Sequence, residues 1–327
     1  MIELHKPHRR SNAVVLIADR GYWPAALFAA HKLAREPDRT FDIILLAIGC
    51  SADERAVADT RIEVLDFELD ARAKQTSAAK GRSVAVFGRL SLDEVLDDRY
   101  DKILYIDADV WIGDRSVSDL FHLDFQGRAV AAVRDAAEIV RGNAGDWLAY
   151  KRQLGLHANA GYFNSGMLLI NRPAYRQRRI GEQCLDYLSS GKYRGNFNDQ
   201  SALNAVLAGD WVELSPVWNW MYATRWELTR RVAPAIVHFI GPSKPWADRK
   251  SRHDPRFRAD MKRVLEPLGY QEFVRDVPAL PAARRSVARL GHRLARNLNL
   301  DSRDRKIREY VERFNHPLTV RSGVGEL

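Results

Sequence analysis

Cysteine is scarce. The chain of 327 residues has two, Cys50 and Cys184. Two thiols cannot build a disulfide framework, and these are not spaced as metal ligands, so both read as inert core residues. Long apolar runs are also lacking. The longest, such as FDIILLAIGC, reach about half of the ~20 residues a membrane span needs. The opening MIELHKPHRRS is basic, but no apolar stretch follows it, so no secretory signal is read there. There is no internal repeat and no low-complexity segment. Hydrophobic residues at 46% and charged residues at 28% exclude wholesale disorder. The expectation is a cytoplasmic, soluble protein of one large domain or two ordinary ones.

A basic excess is missing from most of the chain. The net charge is +9, yet residues 1–240 hold 31 basic and 31 acidic residues, and residues 241–327 hold 20 and 11. The pI of 9.6 describes a basic tail on a neutral body. That argues against a nucleic-acid partner, which calls for a basic face beside its binding motif, and for a local anionic partner of the tail.

What is present is an alternation of apolar strands and amphipathic helices. Strands are expected at 13–18 (AVVLIA), 41–49, 62–67 and 102–110 (KILYIDADV). Helices are expected at 24–35, opened by Pro24, at 51–59 with Ser51 as N-cap, and at 83–96. Continuous apolar strands between helices indicate a parallel sheet covered on both faces, with ligands beyond its carboxyl edge. Further on, 128–133 and 162–171 read as strands and 173–190 and 199–209 as helices. WVELSP and AIVHFI read as short strands. The glycine-containing stretch 136–160 reads as a mobile loop over the acceptor. WNWMY (218–222) offers aromatic faces for a sugar ring or, more simply, for the core.

Chemistry concentrates in two windows. In ILYIDADVWI, Asp107 and Asp109 end an apolar run. In an extended chain, residues two apart point the same way, and two adjacent carboxylates repel unless a cation or proton lies between them. Oxygen ligands suit Mg²⁺ or Mn²⁺ shared with a substrate diphosphate. The competing readings are a solvated strand-end turn and a phosphatase of the haloacid-dehalogenase type. The latter wants its D-x-D on the first strand and a later acidic pair, which Gly209-Asp210 does not supply. In HFIGPSKPW, His238 offers an imidazole ligand, Gly241 allows close backbone approach, and Lys244 carries a charge suited to a phosphate.

With ADRGY (18–22), GRLSLDEVL, YIDADVWI, YFNSGMLLIN, NFNDQSALN and HFIGPSKPW in this order, the chain resembles glycosyltransferase family 8 over roughly residues 12–250. That is the group of glycogenin and the bacterial lipopolysaccharide galactosyl- and glucosyltransferases. The resemblance implies a GT-A fold, α/β with a Rossmann-like nucleotide-sugar-binding mixed sheet flanked by helices. It implies retaining transfer of a hexose from UDP-glucose or UDP-galactose to a glycan or lipid-linked saccharide in surface polysaccharide synthesis. Carried over by position, Asp107, Asp109 and His238 ligate Mn²⁺ (or Mg²⁺), with Ala108 between the acidic pair. Gly241 and Lys244 meet the phosphates, and Asp19 and Tyr22 hold uracil and ribose. Arg89, Asp135, Asn164, Ser165, Asp199 and Gln200 line the donor-sugar pocket, with Arg89, Asp135, Asp199 and Gln200 nearest the chemistry. Arg20 and Gly21 depart from the family, which commonly has an acidic residue and Asn there. A reading from another class is a non-catalytic nucleotide-sugar binder or scaffold.

Composition changes at Pro278 and Pro281, which divides the chain into a catalytic domain, 12–277, and a basic tail, 278–327. In the tail, Val287, Leu290, Leu294 and Leu298 form one helical stripe flanked by Arg284, Arg285, Arg289, Arg293 and Arg296. Ile307, Tyr310, Val311 and Phe314 form a second. A basic amphipathic helix suits an anionic membrane interface, and the competing reading is a stripe packed on the catalytic domain with its arginines solvated; the family resemblance favours residues 282–314 holding the protein peripherally on the inner face of the membrane.

Overall fold

The computed structural model describes residues 10–75, 84–190, 197–248, 252–275 and 302–323. Ten strands are found among them: β1 (Asn12–Asp19), β2 (Asp42–Ile48), β3 (Ile62–Asp66), β4 (Lys102–Ile106), β5 (Val110–Ile112), β6 (Val130–Arg134), β7 (Phe163–Asn171), β8 (Val212–Leu214), β9 (Ile236–His238) and β10 (Val320–Ser322). Eight make one sheet in the order β10-β8-β6-β7-β4-β1-β2-β3, and β5 and β9 make a second.

β1 to β4 are mutually parallel, as the strand–helix alternation requires. β7 then enters antiparallel between β4 and β6, and β10 lies antiparallel on β8, so the whole sheet is mixed. Alternation along each strand sends successive side chains to opposite faces. In β1, Val14, Leu16 and Ala18 join one core and Ala13, Val15 and Ile17 the other. Both faces are therefore buried, which is why these strands read as unbroken apolar runs. The helix Trp23–Leu33 packs on one face, its buried alanines 25, 26, 29 and 30 allowing close approach.

Some local expectations change. The helix expected over 83–96 is mostly a 3₁₀ stretch, Val84–Ser91, with one α turn after it. The helix expected over 173–190 is broken by Arg179, which adopts a left-handed φ of 50° between Arg172–Gln177 and Ile180–Ser189. Residues 136–160 are not an open loop. They hold the helices Ala136–Arg141 and Gly145–Gln153, whose Trp147 and Tyr150 form a third core with Leu154, Leu156 and Tyr162. Trp218 and Trp220 of WNWMY follow the simpler reading and are core, each almost wholly buried, with no face presented to a ligand.

The tail returns to the body. The helix Ser302–Glu312 buries Ile307 and Tyr310, and the Tyr310 hydroxyl donates to Glu213 of β8 at 2.8 Å. The second amphipathic stripe thus faces protein rather than a bilayer. The first, Val287 to Leu298, lies outside the described residues. No described helix is long and apolar enough to cross a membrane.

Candidate active site

The acidic pair lies where the chain changes sheets. β4 ends at Ile106 and β5 begins at Val110, so Asp107 and Asp109 sit on the bend between them and not on one extended strand. Two backbone bonds fasten the bend: the Asp107 N–H donates to the Gly166 carbonyl at 2.8 Å, and the Phe239 N–H to the Asp109 carbonyl at 3.0 Å. β5 then pairs antiparallel with β9 in a register that sets Val110 opposite His238. A histidine about 130 residues downstream is delivered to the carboxylates by ladder geometry.

The His238 Nε2 lies 3.5 Å from Asp107 Oδ2 and 3.4 Å from Asp109 Oδ1. One ligand atom from each of the three residues falls within 4.8 Å of the others. An ion with bonds of about 2.1 Å sets neighbouring ligand atoms about 3 Å apart, so small adjustments close this set around a cation. Two carboxylates and an imidazole suit a borderline divalent ion. Gly166 keeps the space open. A Cβ there would stand 2.2 Å from His238 Cε1 and 2.7 Å from Asp107 Oδ2.

Charge around the carboxylates is nearly all local. Lys244 Nζ donates to Asp109 Oδ2 and to the Phe239 carbonyl. Burial alone would raise the Asp109 carboxyl, but the two basic groups beside it, His238 when its ring is charged and Lys244, hold it well below the usual range. Arg89, 3% exposed, places Nη2 2.9 Å from Asp107 Oδ1 and Nε 3.2 Å from Asp199 Oδ2. Its Nη1 bonds both the carbonyl and the hydroxyl of Ser165. The guanidinium also stacks over the Tyr105 ring, 4.5 Å from its centroid. Tyr105 itself donates to Asp107 Oδ1 at 2.6 Å.

A second network continues from Ser165. Its hydroxyl donates to Asp199 Oδ2 at 3.0 Å. Asp199 lies inside the first turn of the helix Asn198–Leu207 and is not its N-cap, which is Phe197. Gln200 Oε1 accepts from Asn164 Nδ2 at 3.0 Å and from the Ser165 N–H at 3.2 Å. Asp135 caps the helix Ala136–Arg141 through the Ala137 N–H. Its other oxygen accepts from Asn164 Nδ2 and Gln200 Nε2, both at 3.2 Å. Burial raises the carboxyls of Asp135 and Asp199 above their ordinary value, against these hydrogen bonds and, at Asp199, against Arg89.

Ten expected residues thus form one connected constellation: Arg89, Asp107, Asp109, Asp135, Asn164, Ser165, Asp199, Gln200, His238 and Lys244. The other four are Asp19, Tyr22, Ala108 and Gly241. Asp19 Oδ1 accepts from the N–H groups of Gly21 and Tyr22, at 3.1 and 3.2 Å, closing the first loop. Tyr22 is part exposed and meets Trp246 edge-on at 6.1 Å. Arg20 pairs with Glu54 at 2.8 Å, the residue that completes the Ser51 capping box. Ala108 is buried between the acidic residues, and Gly241 takes a left-handed φ of 79° at the start of the lysine loop. Three contributors went unread in the sequence. Tyr105 and Gly166 lie inside recognised strands, and Asn219 hides between two tryptophans.

The fold is that of GT-A glycosyltransferases. The chain belongs to glycosyl transferase family 8, whose model matches residues 13–250. It is 30% identical over 178 residues to General stress protein A of Bacillus subtilis, covering 50% of this chain and 59% of that protein. It is 28% identical over 186 residues to lipopolysaccharide 1,3-galactosyltransferase of Salmonella typhimurium, covering 54% and 53%. The chain therefore spans little more than half the length of these relatives. Its fold is similar to that of an active-site mutant of LgtC, with a TM-score of 0.62 and 23% identity over 84% of this chain and 99% of that one. The bifunctional glycosyltransferase WbbM matches with a TM-score of 0.65 at 19% identity, over 83% and 52%.

Proposed function

We propose that the chain transfers a hexose from UDP-glucose or UDP-galactose, with retention and with a divalent cation, to a glycan or lipid-linked saccharide of a bacterial surface polysaccharide. The observation that carries this is the convergence of Asp107, Asp109 and His238 beside Lys244. Carboxylates so placed suit a cation–diphosphate rather than a neutral ligand. Lipopolysaccharide galactosyl- and glucosyltransferases among the relatives support the sugar class. A bound Mn²⁺ or Mg²⁺ would neutralise charge on the leaving diphosphate.

The chain's own groups do the rest. Lys244, released from Asp109, reaches for a phosphate oxygen. Arg89 locks Asp107 and Asp199 in place, and Asp199, Asp135 and Asn164 offer partners to sugar hydroxyls. Gln200 is poorly suited to covalent catalysis. Its carbonyl oxygen already accepts two hydrogen bonds, and double displacement normally uses a carboxylate. We therefore favour front-side attack, in which the acceptor hydroxyl bonds to the anomeric carbon as the sugar–phosphate bond breaks and its proton passes to the departing phosphate.

UDP release across UDP-glucose, UDP-galactose, UDP-glucuronate and UDP-N-acetyl sugars tests the donor. Turnover of a hexose donor supports the reading, and binding without UDP release would favour the non-catalytic alternative. The membrane proposal now rests on residues 282–301 and their arginines, each worth roughly 1 kcal/mol at an anionic surface. Sedimentation with anionic liposomes tests it. Protein that stays in the supernatant at low salt counts against it.

A further inference from the structure

Amide side chains can present either end to a partner, but a backbone N–H only donates. That asymmetry orients a whole chain of groups here. The Gly166 N–H donates to Asn164 at 3.0 Å, so the atom it meets is the oxygen, Oδ1. The same oxygen is 2.9 Å from Asn219, whose facing atom must therefore be its donor, Nδ2. Asn219 then turns Oδ1 to the Nδ1 of His238, 3.0 Å away. An oxygen at that distance requires the proton on Nδ1. A neutral imidazole carries one proton, so Nε2 shows its lone pair to Asp107 and Asp109.

The distances on the far side of the ring agree. A protonated Nε2 bonded to a carboxylate would lie about 2.7–2.9 Å from it. The observed 3.5 and 3.4 Å are too long for that and leave room for an ion. Three electron-rich atoms converge with no proton among them.

Asn219 is built to hold this position. It is 1% exposed. Its tryptophan neighbours are pinned by their indole N–H groups, Trp218 to the Pro317 carbonyl at 2.9 Å and Trp220 to Thr229 Oγ1 at 2.7 Å. The Trp220 carbonyl accepts the His238 N–H at 2.9 Å, fixing strand against strand. On its other side, Asn164 donates to Asp135 and Gln200. One amide thus joins the histidine to the donor pocket.

We infer that Asn219 is a positioning residue that fixes His238 in the Nδ1–H tautomer and aims Nε2 at the cation held by Asp107 and Asp109. Its purpose rests on the metal-dependent reading above, but the tautomer can be read without metal. Partners of this kind, behind a metal-bound histidine, set ring orientation and ligand strength, and their loss weakens metal affinity by about 10–100-fold.

The test uses the full chain with ¹⁵N-labelled histidine, metal-free and at alkaline pH, so that the imidazole is neutral. Long-range ¹H–¹⁵N correlations report the tautomer, and the His238→Gln spectrum assigns the signal. In the wild type, Nε2 is expected to be the unprotonated nitrogen. Asn219→Leu is expected to move the population towards Nε2–H and to weaken Mn²⁺ binding, measured by calorimetry, by about 10–100-fold. Asn219→Asp keeps the acceptor towards Nδ1 at the same volume while giving up the donor towards Asn164, and is expected to retain the tautomer, so a folding defect in the leucine variant does not decide the matter. An Nε2–H tautomer in the wild type, or unchanged tautomer and affinity in a folded Asn219→Leu, overturns the inference. Absent Mn²⁺ binding in wild type with the expected tautomer would overturn the metal reading and still support the positioning of the ring.

Discussion

Lys244 Nζ rests on Asp109 Oδ2, the carboxylate whose other oxygen faces His238 at 3.4 Å. One side chain would therefore serve two cations, the lysine and a bound metal ion, and the two would compete until a diphosphate drew the lysine away. Removing the lysine should help the metal and harm the nucleotide. Lys244→Met is expected to bind Mn²⁺ several-fold tighter in the absence of nucleotide. UDP should bind roughly 10–100-fold more weakly, the scale of a lost hydrogen bond to a charged group. Calorimetric titration of each ligand, alone and with the other, measures both. Because coupling is reciprocal, the mutual enhancement of Mn²⁺ and UDP should shrink by one factor from either direction.

Arg89 bridges Asp107, Asp199 and Ser165 through one buried fork. A lysine is a point charge and cannot reproduce that geometry. Arg89→Lys should fold but lose most activity. Arg89→Ala leaves buried Asp199 without its cation and should cost about 3–5 kcal/mol in urea unfolding. Equal stability of wild type and alanine variant would mean the network is dispensable to the fold.

Gly166 is the tightest position in the site. The Cβ of Gly166→Ala would sit inside contact distance of the His238 ring, and overpacking of this kind costs about 1–3 kcal/mol. The ring is expected to yield before the backbone does. The variant should show a modest fall in Tm with a disproportionate loss of Mn²⁺ affinity.

The sheet is legible in the sequence wherever strands are buried on both faces, as in residues 13–18 and 102–106. Antiparallel entry of β7 is not, because an apolar strand reads the same in either direction. Asp107 and Asp109 stand out because charge at the end of an apolar run is costly without a partner, but the bend between β4 and β5 has no local signature. His238 is legible as a strand-end histidine, whereas Asn219 is not. Its tryptophan neighbours read as core, and that is what they are, but nothing in the sequence shows that they anchor the chain so that the amide between them can face the imidazole. The loop reading of 136–160 gave weight to glycines over Trp147 and Tyr150, which bury that segment.

His253 lies behind the Lys244 loop, stacked edge-on against Phe239 at 5.5 Å, with Nδ1 3.0 Å from Asp248 Oδ2. Burial pushes its imidazole below the ordinary value, although Asp248 pulls the other way; His31 is shifted in the same direction, also by burial. The unfolded chain takes up a proton near pH ~6.5 and the folded chain resists it, so stability is full above that pH and falls as pH drops towards the folded values. Calorimetric Tm should decrease between about pH 7.5 and 5.5, and less steeply in His253→Gln. The same slope in both proteins would assign the loss to other groups.

The central claim is that the acidic pair and His238 hold a cation needed for sugar transfer. UDP release from UDP-glucose or UDP-galactose, measured in chelator and again after Mn²⁺ is restored, tests it most directly. The wild type should be silent in chelator and recover with Mn²⁺. Asp107→Ala, Asp109→Ala and His238→Ala should stay silent in both while keeping a cooperative thermal transition. Full wild-type turnover in chelator would contradict the account.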